Sequence, residues 1–235
     1  MSQKDLSVQL FLADWHQILP TIHECSVVLS KAENERAALF HKRRYAEEFI
    51  ACRILLRKVL YSVTGVSPEK LEILYTEQGK PYLVLDSHKD LKFSISHSSN
   101  MCLIGISHLH EIGVDIEKIR PLDHSTLSAR FYSKAEIANY QSLQGDEQEL
   151  AFFDTWTRKE ACAKANGGGL RFKISELDTG KPGTLFKSFV PGNCKDSFYV
   201  KNVKVTESFS AAVALLGKEN FEVALSDFQI KPYMQ

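Results

Sequence analysis

Gly113-Val114-Asp115-Ile116-Glu117-Lys118 reads as a β-strand, and its reading organises the whole chain. Apolar and acidic residues alternate, so Val114 and Ile116 face one side while Asp115 and Glu117 face the other. Carboxylates at i and i+2 then share a face, about 7 Å apart along the strand. A second stretch, Trp156-Thr157-Arg158-Lys159-Glu160-Ala161-Cys162-Ala163-Lys164, reads as helix. Glu160 and Lys164, four positions apart, are surface neighbours on it. If the two stretches meet, three carboxylates face one lysine, a set suited to holding Mg2+ and a diphosphate together. Plainer readings stand beside this one. Asp115 and Glu117 could line a solvated strand face, although like charges side by side are costly unless screened. Glu160 and Lys164 could be a surface pair, but bulky Phe152, Phe153 and Trp156 put them along a seam next to the core.

Working outward, residues 6–13 and 25–29 read as short strands. From about Ser30 to Leu60 the pattern turns helical, with Phe49, Cys52, Leu56 and Val59 spaced as one buried face. Strands follow at 71–75, 82–85, 92–97, 101–107 and 111–118. Ser133-Lys134-Ala135-Glu136 is a capping box. A longer helix from about Glu147 to Asn166 stops at Gly167-Gly168-Gly169, the first of which can adopt the left-handed conformation. The glycines are no phosphate loop, because the Lys-Ser/Thr of that motif is missing. Strand-like pieces close the chain at 181–189, 198–205 and 209–216. Both halves thus run from a long helix through a turn-rich stretch to an apolar hairpin.

The 235 residues fit one compact body or two intimately packed lobes, and 44% hydrophobic content is ample for a core. A formal net charge of zero argues against a broad nucleic-acid-binding face, so any phosphate must be met by a local cluster. Cys25, Cys52, Cys102, Cys162 and Cys194 are scattered and never spaced as CxxC, which points to a reducing compartment. The N-terminus has no signal-peptide pattern, and no run approaches the roughly 20 apolar residues of a membrane span. A soluble, cytoplasmic protein is expected. Lys42, Arg43, Arg44, Arg53, Arg57 and Lys58 concentrate positive charge on the first long helix. A solvated face is the plain reading, but Arg53 and Arg57 share a side, where planar guanidinium suits phosphate. His97 ends its strand as either a structural hydrogen-bonding residue or a phosphate contact.

In order and spacing, GKPYL (79–83), FSISHS (93–98), IGVDIEKIRP (112–121), RFYSKAE (130–136) and WTRKEACAKANGGGL (156–170) resemble the 4'-phosphopantetheinyl transferases. The likeness is to the larger type, typified by the surfactin-synthetase activator. The glycine-rich stretch after Lys164 and the pair Ala161-Cys162 depart from the commoner pattern without touching a charged position. The resemblance implies an α/β (α+β) fold of two similar lobes related by a pseudo-twofold axis, residues 1–109 and 110–235, with the active site at the seam. The activity implied is transfer of phosphopantetheine from coenzyme A to a serine of an acyl or peptidyl carrier protein, by a monomer, with adenosine 3',5'-bisphosphate released. It further implies Mg2+ held by Asp115, Glu117 and Glu160, with Asp115, Glu160 and Lys164 catalytic. Glu160 would be the base, and Lys164 would meet the leaving group. Arg53, Lys80, Pro81, Ser96, His97, Lys159 and Lys164 are implied as coenzyme A contacts, with Lys42 and Arg43 added by a looser alignment. Two other classes stay open: a non-catalytic coenzyme A or carrier-protein binding module, and a Mg2+-dependent phosphodiesterase.

Overall fold

The structure, a computed structural model, describes residues 7–169, 172–190, 192–217 and 221–227. Leu6, read as part of the first strand, and Leu170, which ends the glycine-rich stretch, lie outside the described residues. Strand β1 (Ser7–Asp14) leads through short helical turns, among them α1 (Ile22–Cys25), to α2 (Lys31–Ala38) and α3 (Arg43–Thr64). Two expectations are corrected here. Residues 25–29 are not a strand but the end of α1 and a 3-10 turn; a five-residue apolar run carries too little periodicity to tell the two apart. The single helix expected over 30–60 is two, because α2 folds back on α3. That return lets Arg57 Nε and Nη2 reach Glu33 Oε2 at 2.9 and 2.7 Å, 24 residues away.

The hairpin β2 (Glu72–Tyr75) and β3 (Pro81–Val84) follows, then β4 (Lys92–Ser98), β5 (Met101–Ser107) and β6 (Glu111–Lys118). The remaining elements are α4 (His124–Phe131), α5 (Lys134–Gln141), α6 (Gly145–Asn166), β7 (Phe186–Val190), β8 (Asn193–Asn202), β9 (Phe209–Leu216) and β10 (Glu222–Asp227). The strand expected from Lys181 starts only at Phe186, after a turn at Pro182-Gly183, where Gly183 has φ 82°. One sheet has the order β10-β1-β5-β4 and the other β6-β9-β8-β7. β10, which the sequence did not mark, pairs parallel with β1 and so joins the sheet of the first half.

Alternation explains the layering. On β5, Cys102, Ile104 and Ile106 meet α3, whereas Leu103 turns to a core shared with Val114 and Ile116 of β6 and Val213 of β9. On β9, Ala212 and Ala214 face the other way, against Ala161, Cys162 and Ala165 of α6. Each half is therefore a sheet backed by a 22-residue helix, and each helix ends at a left-handed glycine, Gly65 (φ 71°) or Gly167 (φ 73°). The likeness extends to one buried ion pair per half. Ser30 and Ser133 each cap a helix with the glutamate three residues on, and that glutamate is buried against a cation of the following long helix. Glu33 holds Arg57, which also donates to the carbonyls of Pro68 and Leu71. Glu136 holds Lys159, which donates to those of Ile174 and Leu177.

α6 crosses β6 at Gly113 with no room to spare. A methyl at that position would run into the Ala161 carbonyl and the Ala165 amide, both fixed backbone. Gly113→Ala should therefore cost about 1–3 kcal/mol of stability by overpacking, read as a lower denaturation midpoint. Unchanged stability would mean that α6 shifts freely on the strand.

Candidate active site

Ile112, Val114 and Ile116 turn into the apolar core, which leaves Asp115 and Glu117 on the face toward α6 and β4. There they meet both halves of the chain. Lys164 Nζ, from α6, donates to Asp115 Oδ1 at 2.6 Å and to Ser96 Oγ, from β4, at 2.8 Å. Ser96 in turn donates to Asp115 Oδ1 at 2.8 Å, and Ser98 to Glu117 Oε2 at 2.8 Å. The strands β4 and β6 share no ladder of main-chain pairs, and serine hydroxyls take its place: Val114 N donates to Ser94 Oγ, and Lys118 N to Ser98 Oγ. Asp115 is almost wholly buried, and among the described residues its Oδ2 has no hydrogen-bond partner.

The carboxylates strain against one another. Burial raises the Glu117 carboxyl above its ordinary value, and neighbouring Asp115 adds to this. Burial likewise raises Glu160, with Asp115 and Glu117 contributing. Such a set of hard oxygens with one orphaned lone-pair site, three carboxylates against one ammonium, fits a small divalent cation. As placed, no three metal-ligating side chains among the described residues come close enough to enclose an ion. Lys164 supplies the positive charge beside Asp115.

A cleft of about 880 Å³ opens along this seam, within the range of small-molecule sites. Glu160 and Lys164 line it from α6, Arg53 from α3, His97 from β4, and Lys80 and Pro81 from the start of β3. The structure thus brings these sequence-derived candidates to one cavity. Arg53 lies over the rings of Phe49 and Tyr75, and among the described residues its buried Nη1 lacks a partner, as does Tyr75 Oη. His97 Nδ1 is 2.9 Å from Glu48. Lys80 reaches the cavity by its stem only. Its ammonium is bound to Glu111 at 2.5 Å and to the Ala165 carbonyl at 2.9 Å, which caps the C-terminal end of α6.

Other candidates lie elsewhere. Ser96 is buried beneath the cavity lining, where it serves Asp115 and Lys164. Lys159 points to the opposite side of α6. It is fully buried, tied at 2.8 Å to Glu136, and burial lowers its pKa, so it is a structural cation rather than a cofactor contact. Arg57, read as sharing a phosphate-binding side with Arg53, is likewise spent on Glu33. Arg43 is exposed and paired with Glu47, Lys42 lies over the ring of Tyr45, and neither lines the cavity. Sequence reasoning missed Ser98, Phe131, Arg130 and the anchoring acids Glu48, Glu111 and Glu136. The Ser94-x-Ser96-x-Ser98 alternation was the available signal for the first of these.

Two family models match the chain. One, "4'-phosphopantetheinyl transferase superfamily", covers residues 111–214, and the other, "4'-phosphopantetheinyl transferase, N-terminal", covers residues 13–108. The 4'-phosphopantetheinyl transferase HetI of Nostoc sp. is 33% identical over 67% of this chain and 67% of its own length. The 4'-phosphopantetheinyl transferase gsp of Aneurinibacillus migulanus is 30% identical over 63% of this chain and 60% of its own. AcpT of Salmonella typhimurium, also a 4'-phosphopantetheinyl transferase, is 34% identical over 58% and 67%. The matched regions thus span about two thirds of these relatives or less. A crystal structure of a holo-(acyl-carrier-protein) synthase from Bacillus anthracis with coenzyme A is 18% identical. It covers 45% of this chain and 94% of its own with a TM-score of 0.36, too loose a likeness to argue from. No helix among the described residues is long and apolar enough to cross a membrane.

The raised Glu160 carboxyl fixes the sign of a pH effect. Its folded pKa lies above the ordinary 4.5, so its charged form costs stability. That cost is absent below the unfolded value and develops as pH rises through the folded one. Glu160→Gln should accordingly raise the melting temperature at about pH 7 and leave it nearly unchanged at about pH 4. A variant that melts lower at neutral pH would show that Glu160 is already neutralised in the free protein.

Proposed function

The chain belongs to the 4'-phosphopantetheinyl transferase superfamily, in its larger two-lobe type, and from that membership we propose that it transfers 4'-phosphopantetheine from coenzyme A to a serine of an acyl or peptidyl carrier protein. Adenosine 3',5'-bisphosphate leaves. The observation that carries this reading is the convergence of Asp115, Glu117, Glu160 and Lys164, from β6 and α6, beside a cleft between the two halves. A module that only bound coenzyme A would give no reason for gathering mutually repelling carboxylates there.

The oxygen donors of Asp115, Glu117 and Glu160 would hold Mg2+, which when bound neutralises charge on the diphosphate and on the departing bisphosphate. The chain's own groups account for the proton and for position. The serine oxygen bonds to the pantetheine-bearing phosphorus, the diphosphate bridge breaks, and the serine proton passes to Glu160. Burial keeps that carboxyl's pKa above the ordinary range, which suits a general base. Lys164, one helical turn on, donates to the departing bisphosphate oxygen, and its bonds to Asp115 and Ser96 orient it beforehand. Arg53, with a buried donor free, and His97 meet the 3'-phosphate across the cleft, while Pro81 shapes the adjoining wall.

Mass spectrometry of an apo carrier protein incubated with this protein, coenzyme A and Mg2+ should register a gain of one phosphopantetheine. Asp115→Ala should abolish the gain and also lower stability, because Lys164 and Ser96 lose their buried acceptor, so the folded state is checked by circular dichroism alongside. Calorimetric binding of coenzyme A with no transfer to any carrier would favour the binding-module reading. Arg53→Ala and His97→Ala should each weaken coenzyme A by about ten- to a hundredfold, and dephospho-coenzyme A much less. Equal losses for both ligands would remove these residues from the 3'-phosphate. Lys164→Ala should lower the turnover rate more than coenzyme A affinity, since its bond to the leaving oxygen grows in the transition state.

A further inference from the structure

We infer that Ser98 is a positioning residue: it sets the Glu117 carboxylate for cation binding and registers it against the coenzyme A wall of the cleft. The inference rests on the proposed role of Glu117 as a cation ligand. It follows from how completely the hydroxyl is committed. Ser98 Oγ accepts the amide hydrogen of Lys118 at 3.1 Å, which occupies a lone pair and orients the group. Its own proton then points to Glu117 Oε2 at 2.8 Å. Among the described residues Glu117 Oε1 has no such tie, so one oxygen is fixed and the other is left for a ligand.

Geometry along β4 adds the second half of the argument. Consecutive residues of a strand point to opposite faces. His97 therefore faces the cleft while Ser98 faces Glu117, on adjacent positions of one strand. The hydroxyls at 94, 96 and 98, with the ion pair of Lys92 and Glu111 at the far end, link β4 to β6 in place of a main-chain ladder. Of these, Ser94 holds only an amide, and Ser96 serves Asp115 and Lys164 together. Ser98 alone addresses the second carboxylate. Losing such an oriented partner typically weakens metal affinity by 10- to 100-fold.

The test uses the full chain without coenzyme A, and titrates Mn2+ as a spectroscopic probe by electron paramagnetic resonance. Ser98→Ala should bind Mn2+ about tenfold more weakly than wild type, with a melting temperature in the absence of metal lowered by no more than about 2–4 °C. Ser98→Thr, which keeps the hydroxyl and suits a strand, should restore affinity. In steady-state transfer, Ser98→Ala should raise the Mg2+ concentration needed for half-maximal rate and leave the saturated rate within about twofold, as expected for a residue acting through a ligand. Mn2+ binding that depends on Asp115 yet is equal in wild type and Ser98→Ala would overturn this inference alone. Wild-type protein that binds no Mn2+ would overturn both it and the cation reading. A melting temperature that falls in step with affinity would make Ser98 a structural link only.

Discussion

The close crossing of α6 over β6 is the constraint on which the site depends. Gly113 and the small residues Ala161 and Ala165 let backbone meet backbone, and Glu160 and Lys164 are the residues just before these two alanines. Asp115 and Glu117 lie two and four residues further along the same strand. A helix held off by even one methyl would carry its charges away from the strand's carboxylates. The desolvation that raises Glu117 and Glu160 would then weaken, because water would enter the gap. Packing and chemistry are thus one problem in this region: the absence of a side chain at one position sets the electrostatics of four others.

The two halves meet that problem with a shared device. In each, a capping-box glutamate is buried and paired to a long-helix cation, which in turn caps carbonyls of a 3-10 turn three residues apart. A buried pair of this kind adds little net stability against an apolar replacement, but breaking one partner is costly. Its service is to fix the long helix against the segment that follows it. In the second half that segment reaches the cleft wall at Ile174, so Lys159 supports the site from behind without touching it. The device recurs with Arg in one half and Lys in the other.

Much of this was legible in the residues, and for identifiable reasons. The apolar run Met101–Ser107, the alternating Glu111–Lys118 and the run Phe209–Leu216 have clear period and turn-bounded ends, and each matches its strand residue for residue. Ser133 and Glu136 declared their cap, and Gly167 its helix stop. Asp115, Glu117, Glu160 and Lys164 were singled out by spacing, and their motif order carried the family resemblance. Three misread cations and one unmarked strand share a cause, a partner far away in sequence. Arg57 and Lys159 look like surface cations until Glu33 and Glu136 are folded against them. Lys80 looks free until α6 ends beside it. β10, largely exposed and short, has no pattern of its own and becomes a strand only because β1 offers an edge.

That last pairing has a consequence for how the chain comes together in time. The first half's sheet is completed by residues 222–227, so its outer edge stays open while the rest of the polypeptide is being made. Domains made on the ribosome usually fold as they emerge, N-terminal first. Here the first sheet waits for the last described strand, and an unpaired edge is open meanwhile to unwanted partners. The order of assembly is circular rather than linear: the closing strand ties residues 222–227 back to residues 7–12. A break introduced between the halves would not yield two self-sufficient pieces, since one would lack an edge and the other would carry a strand with nowhere to dock.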